Sequence, residues 1–314
     1  MARYVAQKLL SLLAVQFGIT LIVFFLIRLV PGDVVDVLYG QYMSQQRVDE
    51  IRALFGLDRP VLVQYLDWLG KLLHGDFGQS LVSGRTIGAD LALRFPVTLE
   101  LALLATAWSI PLGGACGVIA ARRPYGKVDG LVTTVSLLGL ATPNFWLATL
   151  LILVLAVYLG WLPAVGFVAL SVDPLGNLRA LVLPALAMGT TMAAAVMRMT
   201  RSTLLDVLSQ DYIRTARAKG LQERTTLSRH ALKNALIPVL TLIGTETGKL
   251  LGGSLVVEQI FAIPGLGQYA VNSIFSRDYP VLQATVLLVA SSYVVINTLV
   301  DLSYAVVDPR VEYS

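Results

Sequence analysis

Glu246 and Lys249 are the two charged residues inside an otherwise apolar run from Ala235 to Val257. Their i, i+3 spacing puts both on one face of a helix, where an acid and a base can pair. A charge in hydrocarbon costs a few kcal/mol on insertion scales. Such a pair therefore either neutralises itself between packed helices or lines a wet path, and both readings stay open. Other stretches have the look of chemistry without its parts. Gly244 to Lys249 has the glycines and lysine of a phosphate-binding loop, but it is one residue short and Leu250 stands where Ser or Thr is needed. Gly265-Leu266-Gly267 is part of a dinucleotide fingerprint, but no strand precedes it and Ala270 replaces the third glycine. His74 and His230 are the only histidines. They make no cluster with metal-ligand spacing, and no nucleophile–base pair stands out. A membrane enzyme would need such a constellation.

The elements that must position Glu246 and Lys249 are membrane spans. Of the 314 residues, 56% are hydrophobic and 14% charged, where a soluble domain carries about 25% charge. Apolar runs of about 20 residues recur. They predict an all-α polytopic membrane protein with six transmembrane helices: Leu9–Val30, Val97–Ala121, Val128–Leu159, Arg179–Met199, Ala235–Val257 and Val281–Ser303. The first is too long for a signal-peptide core and is expected to be retained. Arg28, near its far end, is placed to snorkel to the headgroups. Gly113, Gly114 and Gly117 form a small-residue face suited to close helix packing. Thr142-Pro143-Asn144 is expected to kink the third span, because proline removes a backbone donor. Trp161 suits an interface depth. Cys116 is the single cysteine, so no intrachain disulfide is possible. No basic, aromatic-rich soluble surface offers itself to nucleic acid.

Two polar intervals interrupt the spans. Val34–Phe95 mixes acids and bases with two amphipathic stretches, one through Val48, Ile51, Arg52, Leu54 and Phe55, the other through Val63, Leu66, Leu69 and Leu72. It reads as a folded cap, or else as a plain spacer. Residues 204–233 are strongly basic. Ile213, Ala216, Gly220 and Leu221 share one helix face, while Arg214, Arg217 and Lys219 point elsewhere. Ser209 can cap its start, Asp211 suits the first turn, and Gly220 suits a left-handed position after the end. A basic loop held at an anionic lipid surface and a knob docked into a partner protein both fit this pattern.

Several motifs, in order, resemble the dipeptide, oligopeptide and nickel family of ABC-importer permeases. These are Pro31-Gly32-Asp33 after the first span, Gly75-Asp76-Phe77-Gly78 with Ser80, and Asp211 to Leu221 followed by Arg229 to Pro238. Pro264 to Gly267, Arg277 to Pro280, and Asp308-Pro309-Arg310 complete the set; Glu258 and Asp301 also match family positions. The resemblance covers nearly the whole chain. It implies a type I importer permease fold, a single transmembrane domain over residues 1–314 with an external loop at 34–95 and a cytoplasmic coupling loop at 204–233. It looks like the first of the two permease types. It further implies a second, homologous permease subunit, two ATP-binding subunits that hold the ATP and magnesium, and an extracytoplasmic substrate-binding protein. The chain itself would bind no cofactor and hydrolyse nothing. The docking element would be Asp211, Tyr212, Arg214, Thr215, Ala216, Arg217, Lys219, Gly220 and Leu221, with Glu246 and Lys249 as candidate path residues. Cargo among relatives spans dipeptides, longer peptides, glutathione and chelated nickel. An ion-coupled secondary transporter is the other class; it would more often show an inverted repeat and broken helices with buried acids.

Orientation follows from the short loops. Arg122, Arg123 and Lys127 share a side with the coupling loop and, with six spans, both termini. The opposing short loops carry Arg179 and Arg277. The basic side is expected to be cytoplasmic, in a bacterial inner membrane. The long first loop can cross regardless of its charge.

Overall fold

The computed structural model describes residues 2–29, 44–54 and 56–307. Pro31-Gly32-Asp33, Phe55 and Asp308-Pro309-Arg310 lie outside the described residues. The chain is built from helices α1 (Ala2–Arg28), α2 (Gln45–Leu54), α3 (Val61–Leu73), α4 (Ile87–Arg122), α5 (Lys127–Ala141) and α6 (Asn144–Leu151). They continue as α7 (Pro174–Leu208), α8 (Asp211–Ala218), α9 (Leu232–Gly253), α10 (Leu255–Phe261), α11 (Leu266–Phe275) and α12 (Tyr279–Val307). Among the described residues, five helices are long and apolar enough to cross a membrane, and six if α5 and α6 with its π-helical continuation to Tyr158 count as one. That sixth crossing is the expected third span. It is broken, not kinked: its two halves meet at 101°. Thr142 and Pro143 are both extended, with ψ of 119° and 135°. A residue before proline is pushed out of the helical region, so two adjacent residues leave the helix together.

The amphipathic stretches at 45–54 and 61–73 are helices, as their periodicity predicts. The last part of the expected external interval is not loop, because Ile87–Phe95 already belongs to α4. Ile87 and Leu91 are buried there against Leu266, Val281 and Ala284. Near the far end of α1, the Arg28 guanidinium lies over the Phe24 ring and donates to Gln64 Oε1 of α3 at 2.7 Å, tying α3 to the end of α1.

α4 and α7 are packed closely, and glycine is the reason. A Cβ on Gly113 would stand 2.5 Å from the Ala193 carbonyl oxygen, and one on Gly117 2.6 Å from that of Met197. Gly114 was expected on the same face but meets nothing within 4 Å. It lies about 100° around the helix from Gly113, off the contact line. Around this seam Leu101, Ala105, Leu181, Met188, Met192 and Val196 form a buried core that continues into Val257, Phe261 and Ile263. α9 packs on α12 through Gly244 against Val300 and Gly248 against Tyr293. In lipid, close van der Waals packing of this kind supplies much of the association free energy.

Candidate functional site

α8 is an eight-residue helix at the end of the bundle where α4 and α7 finish and α9 begins. Two side chains anchor it. Ile213 is fully buried and Ala216 nearly so, and Ile213 packs with Ala121, Leu204, Ala231 and Ala235. The predicted apolar face is therefore narrower than its spacing implied, since Gly220 and Leu221 are exposed. The start is not capped as expected. Gln210 takes the N-cap position, and Ser209 instead ends α7, donating to the Asp206 carbonyl at 2.7 Å. The other end matches its sequence signature. Lys219 is the C-cap, Gly220 has φ +79°, the Gly220 N–H donates to Arg217 O and the Leu221 N–H to Ala216 O. This paired pattern closes a helix with a left-handed residue.

The exposed face of α8 is polar and largely self-contained. Arg217 makes a two-point pair with Glu223, at 2.8 and 3.2 Å. That pair raises the Arg217 pKa above its ordinary value. Arg214 pairs with Asp211 at 3.3 Å, and Thr215 donates to the Asp211 carbonyl. Tyr212 points its hydroxyl to α9, where Asn234 Nδ2 donates to it at 2.7 Å. Lys219 stands exposed. Next to this end a third ion pair ties α5 to α7. Arg201 donates to both carboxylate oxygens of buried Asp129, one of them at 2.7 Å, and the Tyr125 N–H donates to the same carboxylate. The sequence reading missed this pair, because its partners are 72 residues apart and neither sits in a motif.

At the opposite end the polar contacts are buried and long-range. Glu258 of α10 is fully buried and accepts from Thr98 Oγ1 at 2.7 Å, Ser254 Oγ at 2.8 Å and the Gln268 N–H at 3.0 Å. Thr98 in turn accepts from the Leu266 N–H. A Cβ at Gly265 or Gly267 would collide with this carboxylate, so Gly265 and Gly267 serve packing around an acid. Asp278 accepts from Ser80 Oγ at 2.5 Å and from the Leu81 N–H. Tyr269 donates to Asp90 at 3.1 Å beneath the Arg94 guanidinium. Burial, and then that bond to Asp90, push the Tyr269 hydroxyl pKa up, which keeps it a donor.

Glu246 and Lys249 do pair, at 2.7 Å. The Lys249 side chain is 59% exposed and Glu246 16% exposed, so the ammonium is not enclosed between helices of this chain. Gly244 and Gly248 take the contact with α12, which turns the pair toward another face of α9.

A helical bundle of five or six candidate crossings with an amphipathic helix seated on one end is the architecture of a multi-pass membrane protein. The chain belongs to the family of binding-protein-dependent transport system inner membrane components, whose model matches residues 113–313, with the family's N-terminal model on residues 1–102. It is 43% identical to the oligopeptide transport system permease protein AppB of Bacillus subtilis (strain 168), over all of both chains. It is 40% identical to the glutathione transport system permease protein GsiC of Escherichia coli (strain K12), again over both full lengths. A crystal structure of an amino acid ABC transporter with histidines matches 68% of this chain and 92% of its own, with TM-score 0.53 and 16% identity, a likeness of fold alone. The chain is thus an inner-membrane permease subunit of an ABC importer and not an enzyme, working with a substrate-binding protein.

Proposed function

We propose that this permease forms half of the path for peptides in an ATP-driven importer, with α8 as the helix that docks on an ATP-binding subunit. The observation that carries the reading is the construction of α8: anchored by Ile213 and Ala216, closed by Gly220, and presenting Arg214 and Lys219 outward beside a half-exposed Tyr212 that is bonded to Asn234. Asp211, Thr215, Arg217 and Leu221 complete that element. A second permease subunit supplies the other half of the path, two ATP-binding subunits holding ATP and magnesium sit beneath the α8 end, and the binding protein docks at the α10–α11 end. Both termini and the 204–233 loop are cytoplasmic. Peptide cargo is supported by the oligopeptide relative, and glutathione, itself a peptide, by the other.

Glu246 and Lys249 are read as wall residues of the path, on the exposure of Lys249. Reconstituted vesicles test the whole. The importer with its ATPases and binding protein takes up dipeptide only with ATP, and Gly220→Val hydrolyses ATP with little uptake. Undiminished uptake by Gly220→Val removes the docking assignment. For the pair, Glu246→Gln and Lys249→Met assemble normally and alter uptake. Failed assembly in both singles, with recovery in the double variant, marks a structural pair instead.

A further inference from the structure

The turn between α4 and α5 holds an exposed aromatic side chain on a strained backbone. Arg123 caps the end of α4 and Gly126 the start of α5, with Pro124 and Tyr125 between them. Tyr125 has φ +62°, a left-handed conformation that a bulky residue adopts only at a cost. Gly126, for which that conformation is cheap, stands next in the chain with φ −86°. The strained position thus carries tyrosine although glycine is one residue away. The fold does not bury the ring in return, since Tyr125 is 94% exposed.

Asp129, in the first turn of α5, holds this turn in place. Its buried carboxylate accepts the Tyr125 N–H at 2.8 Å and two donors of Arg201 on α7. One acid therefore fixes the direction of the ring and clamps the turn to two helices. Arg122, Arg123 and Lys127 are exposed around it. The turn also lies beside α8. Ala121, just before this basic run, packs with Ile213, and the same cluster reaches α7 through Leu204 and α9 through Ala235. No residue of α5 belongs to that cluster.

We propose that Tyr125 is a second point of contact with the ATP-binding subunit, an aromatic anchor that enters an apolar slot rimmed by acids. This rests on the reading of α8 as the docking helix. Continuity with α8 selects that occupant: a subunit seated on α8 lies against the end of the bundle from which the turn projects. Tyrosine and arginine are the side chains that protein interfaces favour as anchors. A ring already held in its bound direction loses little freedom on association. The contact supplies what α8 lacks. α8 is seated on α4, α7 and α9, whereas the turn reaches α5, the first half of the broken crossing, through Asp129. In this role the strained φ aims the ring, as backbone strain does where surrounding bonds sustain it for function.

Photocrosslinking in the complete importer, reconstituted in vesicles with its ATP-binding subunits, decides the matter. The photoreactive residue p-benzoylphenylalanine at position 214 tests the α8 reading by itself. An adduct with the ATP-binding subunit upholds that reading, and its absence fails it. The same probe at position 125 answers separately for the second contact. An adduct with the ATP-binding subunit is expected there. An adduct with lipid, with the second permease or with nothing overturns the proposal; lipid would place the ring in the interfacial aromatic belt. Affinity gives an independent measure. Tyr125→Gly removes the ring and relieves the backbone, so a loss of binding does not come from added strain. It weakens association of the ATP-binding subunit with the permease by about tenfold, the loss expected of an aromatic anchor. Tyr125→Phe keeps most of the affinity. Association of Tyr125→Gly equal to wild type overturns the contact.

Discussion

At the α10–α11 end, Glu258, Asp278 and Asp90 each bind a side chain between 160 and 198 residues away in the sequence. At the α8 end, the bonds of Arg214, Thr215 and Arg217 reach no farther than six residues, and apolar contact through Ile213 and Ala216, with one exposed hydrogen bond from Asn234 to the Tyr212 hydroxyl, seats the helix. Buried carboxylates with several donors lose much when any partner moves, because an unpaired buried polar group costs about 1–3 kcal/mol. Apolar seating has no such geometry to keep. The first end behaves as a stapled cap, and the second carries a helix that can tilt as a unit. In the importer reading, that is the end which must move with ATP.

The strongest way to break this contrast is to remove the staple. Glu258→Ala strands the Thr98 and Ser254 hydroxyls and the Gln268 N–H, a cost of roughly 3–5 kcal/mol. Its midpoint of thermal inactivation in detergent falls well below wild type, with Glu258→Gln between. An unchanged midpoint would show that the network holds nothing. Asp278→Ala frees Ser80 and Leu81 and costs about 2–3 kcal/mol. Proteolysis within residues 78–86 reads this directly, and accelerates. At the other end, Ile213→Ala removes the one large buried anchor, about 2–4 kcal/mol if fully felt. Here the cost stays local. Amide exchange rises across residues 211–221 while the Leu266 and Gln268 amides keep their protection. Faster exchange at Gln268 as well would mean that the two ends are not independent. The smallest effect belongs to Arg217→Ala, whose exposed pair with Glu223 contributes less than about 1 kcal/mol. Exchange in this variant matches wild type, so any loss of ATPase copurification reports contact with the partner and not unfolding of α8.

Much of the α8 site was legible because its signals are local. Gly220 just past a basic, amphipathic octet can be read from residue types and spacing, and φ +79° follows. Glu246 and Lys249 are adjacent on any helix, so their pairing needed no tertiary information. Proline between threonine and asparagine marked the interrupted crossing. Local signals misled where two elements compete for one residue. Ser209 has the chemistry of an N-cap for α8, but it sits in the last turn of α7 and bonds backward. Ile87–Phe95 is too polar to read as span, yet it continues α4 because α11 and α12 cover its apolar side.

The sequence by itself determined the number and approximate bounds of the apolar helices, their punctuation by Pro143 and Gly220, and the family. These depend on hydropathy, backbone permissiveness and the order of short motifs, all carried by neighbouring residues. Only the tertiary structure decided which charges are staples and which are free. Glu258 and Asp129 are each a single acid at the edge of an apolar run. The close α4–α7 seam, set by Gly113 and Gly117, fixes the register of these two helices. That register, and the fold around it, give Glu258 three donors and Asp129 its arginine. No residue type announces its partner across 70 or more positions, because such contacts exist only once the helices are packed.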